Sequence, residues 1–246
     1  MPGTNALIKV AKDTIGLCSK DPDSSKVFLV NDLQGSSNNE KKTPFVTVEN
    51  RDYISIAYDR AANQKVAILN MCSDQKAGGG FLKGTTAGEE ELCRRSSLYR
   101  QLTLHEAEYP FRDRKLIYSK DVTIFKAEDT YKRLKPERDV DVISIPALRT
   151  PRLTPNRDAY LNKTDYDDMQ ARINAILQIA QANGIQCVVL SAFGSGCFGN
   201  PPDQVAHIFK ECLAHYCFDA VFGIIDGRLR GKTTSNYEVY RRVFCS

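Results

Sequence analysis

"QCVVLSAFGSGCFGNPPDQVAHIF", residues 186–209, joins an apolar, β-branched run to a glycine-rich turn and then to a helical pattern. A short apolar run bounded by turn residues reads as a strand buried on both faces. Asn200 stands where it could cap the following helix, with Pro201 in the first turn. Just upstream, "DYDDMQARINAILQIAQAN" (165–183) has helical spacing and ends at Gly184, a carboxyl-side cap. Helix, buried strand and helix in succession imply a largely parallel sheet covered on both faces.

Outward from this stretch the alternation repeats. Further strand-like runs are "KVFLV" (26–30), "FVTVE" (45–49), "KVAILN" (65–70), "KLIYSKDVTIFK" (115–126), "VDVISIPAL" (140–148) and "AVFGIID" (220–226). Helical patterns lie at "NALIKVAKDTIGLC" (5–18), "EELCRRSSLYRQL" (90–102) and "PPDQVAHIFKECLAHY" (201–216). The expected fold class is α/β, with a mixed, mostly parallel sheet in three layers. No repeat divides the chain, so residues 1–246 read as a single domain, with 1–44 as an amino-terminal helix, strand and loop extension. "NDLQGSSNNEKKTP" (31–44) has the composition of a surface loop.

Composition narrows the function classes. A formal charge of +4, from 34 basic and 30 acidic residues, gives no electrostatic case for nucleic acid or a membrane surface. The small basic clusters "CRRSSLYR" (93–100) and "DGRLRGK" (226–232) read as solvated surface. Eight cysteines without framework spacing suggest a reducing compartment, cytoplasmic or nuclear. No C-x-x-C pair offers a zinc site, and neither a metal nor another cofactor is expected. The amino terminus shows no apolar signal core, and no run approaches membrane-spanning length.

In open α/β sheets ligands sit beyond the carboxyl ends of the strands. Two loops fall there. In the first, Gly194, Gly196 and Gly199 lie between strand and helix, where inward-turned amides suit a phosphate. The alternative is a tight strand–helix connection. Phe198, in mid-loop, either plugs the core or covers a sugar or base face. The other loop belongs to "NMCSDQKAGGGFLKGTTAGEEELCRRSSLY" (70–99). There, Thr86 and Glu89 fit a capping box, and acidic residues suit a helix start. Neither explains Gly78, Gly79 and Gly80, which require a sharp reversal or a close ligand approach.

Successive helical residues point about 100° apart, so at most two of Glu89, Glu90 and Glu91 face one site. Two carboxyls so close cannot flank a sugar ring as in ordinary glycosidases, which separate them by roughly 5–10 Å. One acid/base glutamate beside a diphosphate loop fits a nucleoside diphosphate sugar.

Triple glycine, seven residues, then "GEE" resembles the signature of the compact bacterial and fungal poly(ADP-ribose) glycohydrolases, which have a macrodomain fold. "AILNMCSDQKAGGGFLKG", "ELCRRSSLY", "LSAFGSGCFGNPPDQVAHIF" and "FGIIDGRLRGKTTSNYEVYRRVF" resemble further blocks of that family in the same order. The resemblance implies ADP-ribose and ADP-ribosylated proteins as partners. It also implies catalytic roles for Glu90, the acid/base, and Glu89, which helps hold the reacting ribose. Asn70 would bind the same ribose, and the Gly78, Gly79, Gly80 loop would wrap the diphosphate. Gly194, Ser195, Gly196, Cys197 and Phe198 would form the opposing loop. An acid role for Glu90 calls for a raised pKa, for which neighbouring Glu89 is one cause. The chain is expected to act as a monomer.

Where the family carries glutamine this chain has Gly88, which leaves polymer against single-unit preference open. Alternatives are a mono-ADP-ribosyl-protein hydrolase and a reader that binds without cleaving. A cysteine hydrolase using Cys72 or Cys197 is disfavoured. Its base would be His105, His207 or His215, none of which lies in a glycine-rich loop.

Overall fold

The structure is a computed structural model that describes residues 2–18, 24–33, 44–227 and 234–245. The 31–44 loop and the second basic cluster fall largely outside the described residues.

Seven strands form one sheet: β1 (Ser25–Leu29), β2 (Val46–Glu49), β3 (Val66–Met71), β4 (Lys115–Lys126), β5 (Arg133–Ile145), β6 (Cys187–Leu190) and β7 (Asp219–Gly223). The order across it is β1-β4-β5-β3-β6-β7-β2. β5, β3, β6, β7 and β2 run parallel, whereas β1–β4 and β4–β5 are antiparallel. The sheet is therefore mixed and mostly parallel, as the alternation of strand and helix patterns implies.

Helices cover both faces. Along β3, Ala67 and Leu69 join the apolar cluster under α5 (Lys163–Ala182), α6 (Pro202–Leu213) and α7 (Asn236–Phe244). Val66 and Ile68 join the cluster formed with α1 (Thr4–Leu17), α2 (Tyr53–Arg60), α3 (Gly88–Arg95) and α4 (Leu98–Thr103). Side chains of a strand alternate between faces, and here both faces meet hydrocarbon. The central strands thus need continuous apolar sequence. Among the described residues no helix is long and apolar enough to cross a membrane.

Three sequence expectations change. The single helical pattern at 90–102 is two helices, broken where Ser96 is extended (φ −142°, ψ 175°). Ser96 bridges to Ile124, and the Ser97 amide donates to the Thr123 carbonyl, so pairing with β4 interrupts the helix. β5 begins at Arg133, well before its apolar part, because "RLKPERD" runs along the antiparallel extension with β4. α2 escaped the reading altogether. Asp52 caps it, accepting from the Ser55 amide at 2.7 Å.

Arg94 and Arg95 are the clearest departure, since both are buried rather than solvated. Arg95 donates to Asp52 (2.6 Å), to the Ser55 hydroxyl (3.0 Å) and to the Lys126 carbonyl (3.2 Å). Arg94 pairs with Glu91 at 2.7 Å and also donates to the Thr85 carbonyl. A buried guanidinium requires such partners, and these tie α3 to α2 and to β4.

Candidate active site

The parallel strands β3, β5, β6 and β7 deliver their following loops to one edge of the sheet. Between these loops lies a cleft of about 400 Å³. Its lining includes Asp52 and Tyr53 at the start of α2, Met71, Gly88, Ala147, and Gly194, Gly196, Cys197 and Phe198 of the loop after β6. Ile224 and Ile225, just beyond β7, complete an apolar wall.

The triple-glycine loop turns back on itself beside the start of α3. Gly79 has φ +55°, a left-handed conformation that L side chains rarely adopt. A methyl group on Gly79 would lie 2.6 Å from Glu90 Oε1 and 3.0 Å from Glu89 Oε2. Both carboxyls therefore converge on the bare backbone of Gly79, and only glycine permits that approach. The Gly80 amide donates to Glu90 Oε1 at 2.7 Å, and the Ser73 amide donates to Glu89 Oε2 at 2.8 Å. The capping box does not form: Ala87 is the N-cap, and Glu89 is turned to Ser73 instead. Glu91 does not join them at Gly79; it lines the cleft, where it accepts from Arg94 and from the Tyr131 hydroxyl.

Asn70, at the end of β3, lies beside Glu89 and donates to the Ser144 hydroxyl at 3.0 Å. Two buried oxygens here, Asn70 Oδ1 and Glu89 Oε1, lack a donor in good hydrogen-bonding geometry, although the Asn70 side chain and the Gly78 amide approach the Glu89 carboxyl. Buried acceptors without partners are costly and rare. A ligand rich in hydroxyls would satisfy both.

Burial pushes the Glu89 carboxyl up to about 8 against an ordinary 4.5; the Ser73 amide opposes this and the charge of Glu90 adds to it. The carboxyl that burial raises is thus that of Glu89. The linkage has a definite sign. Between pH 4.5 and about 8 the folded chain holds a proton that the unfolded chain has released, so stability falls as pH rises through that window. The slope approaches about 1.4 kcal/mol per pH unit. Glu89→Gln should flatten it, read from denaturation midpoints between about pH 5 and about pH 8.5. Parallel profiles for the two proteins would place the proton elsewhere.

The structure therefore divides the expected residues into two adjoining groups. Gly194, Gly196, Cys197 and Phe198 line the cleft. Asn70 and Glu89 adjoin it as chain neighbours of Met71 and Gly88, and Gly78, Gly79, Gly80 and Glu90 gather about the Glu89 and Glu90 carboxyls. Ser195 belongs to neither, being fully buried with its hydroxyl near the Phe193 carbonyl. Asn200 does not cap α6, whose N-cap is Pro201 with no side-chain cap. It accepts from the Tyr160 hydroxyl (2.9 Å) and donates to the carbonyls of Leu148 (2.7 Å) and Gly194 (3.0 Å), pinning the loop.

Sequence reading missed Asp52 and Tyr53 in the lining, and Arg149, whose guanidinium carbon lies 4.3 Å from the centre of the Phe198 ring. Asp52-x-x-Ser55 was a readable helix-start signal. Arg149 carried none. Among the described residues no group of three or more His, Cys, Asp or Glu side chains could hold a metal ion.

Residues 13–127, which span α2, β3, the triple glycine and α3, match the family "Microbial-type PARG, catalytic domain". This bears out the resemblance read in the glycine and glutamate signature. Among solved structures, the poly(ADP-ribose) glycohydrolase from Thermomonospora curvata superposes with a TM-score of 0.77 at 24% identity, covering 98% of this chain and 100% of that one. The same enzyme bound to the inhibitor ADP-HPD gives 0.76 at 24% identity, covering 97% and 99%. Poly(ADP-ribose) glycohydrolase from Deinococcus radiodurans in complex with ADP-ribose gives 0.73 at 25% identity, covering 99% and 97%. Among curated proteins no sequence matches.

Proposed function

We propose that the chain is an ADP-ribosyl glycohydrolase of the microbial poly(ADP-ribose) glycohydrolase type, releasing ADP-ribose from ADP-ribosylated protein. One observation carries this reading: two buried carboxyls meet the bare backbone of Gly79, beside acceptors that lack a well-placed donor and a cleft edged by a second glycine loop. The cleft takes the nucleotide along its apolar wall, with the diphosphate between the two glycine loops. Hydroxyls of the distal ribose bond to Asn70 Oδ1 and to Glu89. Glu89 retains its proton near neutrality, so it presents a neutral, hydrogen-bonding carboxyl to that sugar. Glu90 donates a proton to the departing oxygen as the anomeric C–O bond breaks, then accepts one from the attacking water. The diphosphate stabilises the positive charge that develops between those steps.

Gly79→Ala tests the close approach directly. The added methyl must displace the Glu90 carboxyl, and it also strains a left-handed residue. Misplacement of about 1 Å costs about 10²-fold in turnover, and the strain costs about 1 kcal/mol of stability. Turnover close to wild type in a folded Gly79→Ala protein would separate the loop from the chemistry.

Gly88 supports a second reading, hydrolysis of single ADP-ribose units. It lines the cleft with no side chain, its carbonyl accepts from the Tyr53 hydroxyl at 2.8 Å, and a methyl there would meet that hydroxyl at 3.1 Å. Released ADP-ribose measured from purified polymer and from a singly modified peptide decides between them. Faster release from polymer supports the first reading, and release from the peptide alone supports the second. Binding of ADP-ribose without release from either makes the chain a reader. A reducing cytoplasm or nucleus, read from the cysteine usage, completes the proposal, with the chain acting there as a monomer.

A further inference from the structure

The two glycine-bearing loops leave different strands, and among the described residues no hydrogen bond passes directly between residues 73–80 and 194–199. Pairing of β3 with β6 holds the roots of the loops, so the separation of their tips, which any ligand held between them senses, depends on other contacts. The segment leaving β5 contacts both loops. Its Leu148 carbonyl accepts from Asn200, and its Thr150 amide donates to the Phe198 carbonyl at 2.8 Å. That segment is therefore stitched to the loop after β6. From its centre Arg149 reaches the other way. Its Nε lies 3.0 Å from each oxygen of Asp74, and Nη2 makes a third contact to Oδ1. The same guanidinium lies over the Phe198 ring. Asp74 sits on the loop after β3, only a few residues before the triple glycine, and its carbonyl accepts from the Phe111 amide at 2.8 Å.

We propose that Arg149 is a positioning residue whose forked pairing with Asp74 clasps the two glycine loops together across the diphosphate end of the cleft. The clasp rests on the functional reading above. A planar guanidinium can bond a carboxylate edge-on while its face covers an aromatic ring, which lysine cannot reproduce. Arg149 thus fixes both the spacing of the loops and the tilt of Phe198. Consistent with the pairing, the Arg149 hydrogen bond holds the Asp74 carboxyl below its ordinary value. The pair is half exposed on the arginine side, so it adds little to global stability. Its effect should appear in ligand affinity and not in melting temperature.

The test is a double-mutant cycle on the full chain, with ADP-ribose affinity measured by calorimetry and melting temperature recorded alongside. Arg149→Met and Asp74→Asn should each weaken ADP-ribose binding about tenfold, and the double variant should be no worse than about twofold beyond either. Arg149→Lys should recover only part of the loss, and melting should move little throughout. Additive losses would mean that Arg149 meets the phosphates itself, which overturns the clasp, as would unchanged affinity in Arg149→Met. A melting temperature that falls in step with affinity would also overturn it, in favour of a purely structural pair. A wild-type chain that fails to bind ADP-ribose overturns the functional reading, and the clasp's role with it.

Discussion

Glu90→Gln should bind ADP-ribose as the wild type does, yet release it from modified protein about 10²–10⁴-fold more slowly. The substitution keeps shape and volume. An amide oxygen at the Oε1 position can still accept from the Gly80 amide, which approaches to 2.7 Å, so the glycine loop keeps its anchor. What disappears is the exchangeable proton. Protonation of the departing oxygen and activation of water then fall to solvent. Calorimetry gives the binding half of the result, and chromatographic detection of free ADP-ribose gives the other. Turnover lowered by no more than about tenfold would move the acid/base role to another group. Glu89, the carboxyl that burial keeps protonated, would be first in line.

Arg95→Met should destabilise the fold by about 3–5 kcal/mol, the usual cost of stripping one partner from a buried ion pair. Arg95 is 2% exposed, and its guanidinium supplies Asp52, Ser55 and the Lys126 carbonyl at once. Methionine fills much of the volume and supplies none of those hydrogen bonds. Asp52 would keep the Ser55 amide and lose its counter-charge, in a position where it also lines the cleft. Loss of stability should therefore come with weaker ADP-ribose binding. Denaturant midpoints measure the first. An unshifted midpoint would mean that water replaces the guanidinium at little cost and that α2 does not depend on α3.

The sheet was legible because its central strands are buried on both faces and so must be written in continuous apolar residues such as Val66–Leu69 and Cys187–Leu190. The amino-terminal part of β5 was not. Its side chains are largely exposed, and "RLKPERD" reads as polar loop until a partner strand pairs with it. The break at Ser96 was hidden for a related reason: the residues on either side favour helix, and pairing with Ile124 of β4 overrides them. The triple glycine could be recognised because left-handed backbone leaves a direct mark on residue choice.

The roles of charged residues were harder to read. Arg94 and Arg95 look like any exposed pair, since apart from Glu91, one turn before Arg94, their partners Asp52, Thr85 and Lys126 are fixed only by the fold. Arg149 is in the same position: Asp74 lies 75 residues away along the chain. Thr86 and Glu89 satisfied a capping pattern, but the Ser73 amide competes for that carboxyl and the local motif loses.

A crystal structure of the chain with ADP-ribose tests the central claim most directly. The distal ribose should lie with its anomeric carbon about 3.5 Å from the Glu90 carboxyl, the diphosphate between Gly79–Gly80 and Gly194–Phe198, and ribose hydroxyls against Asn70 and Glu89. A nucleotide bound the other way along the cleft, with its adenine toward Glu90 and its distal ribose against Asp52 and Ile225, would contradict it.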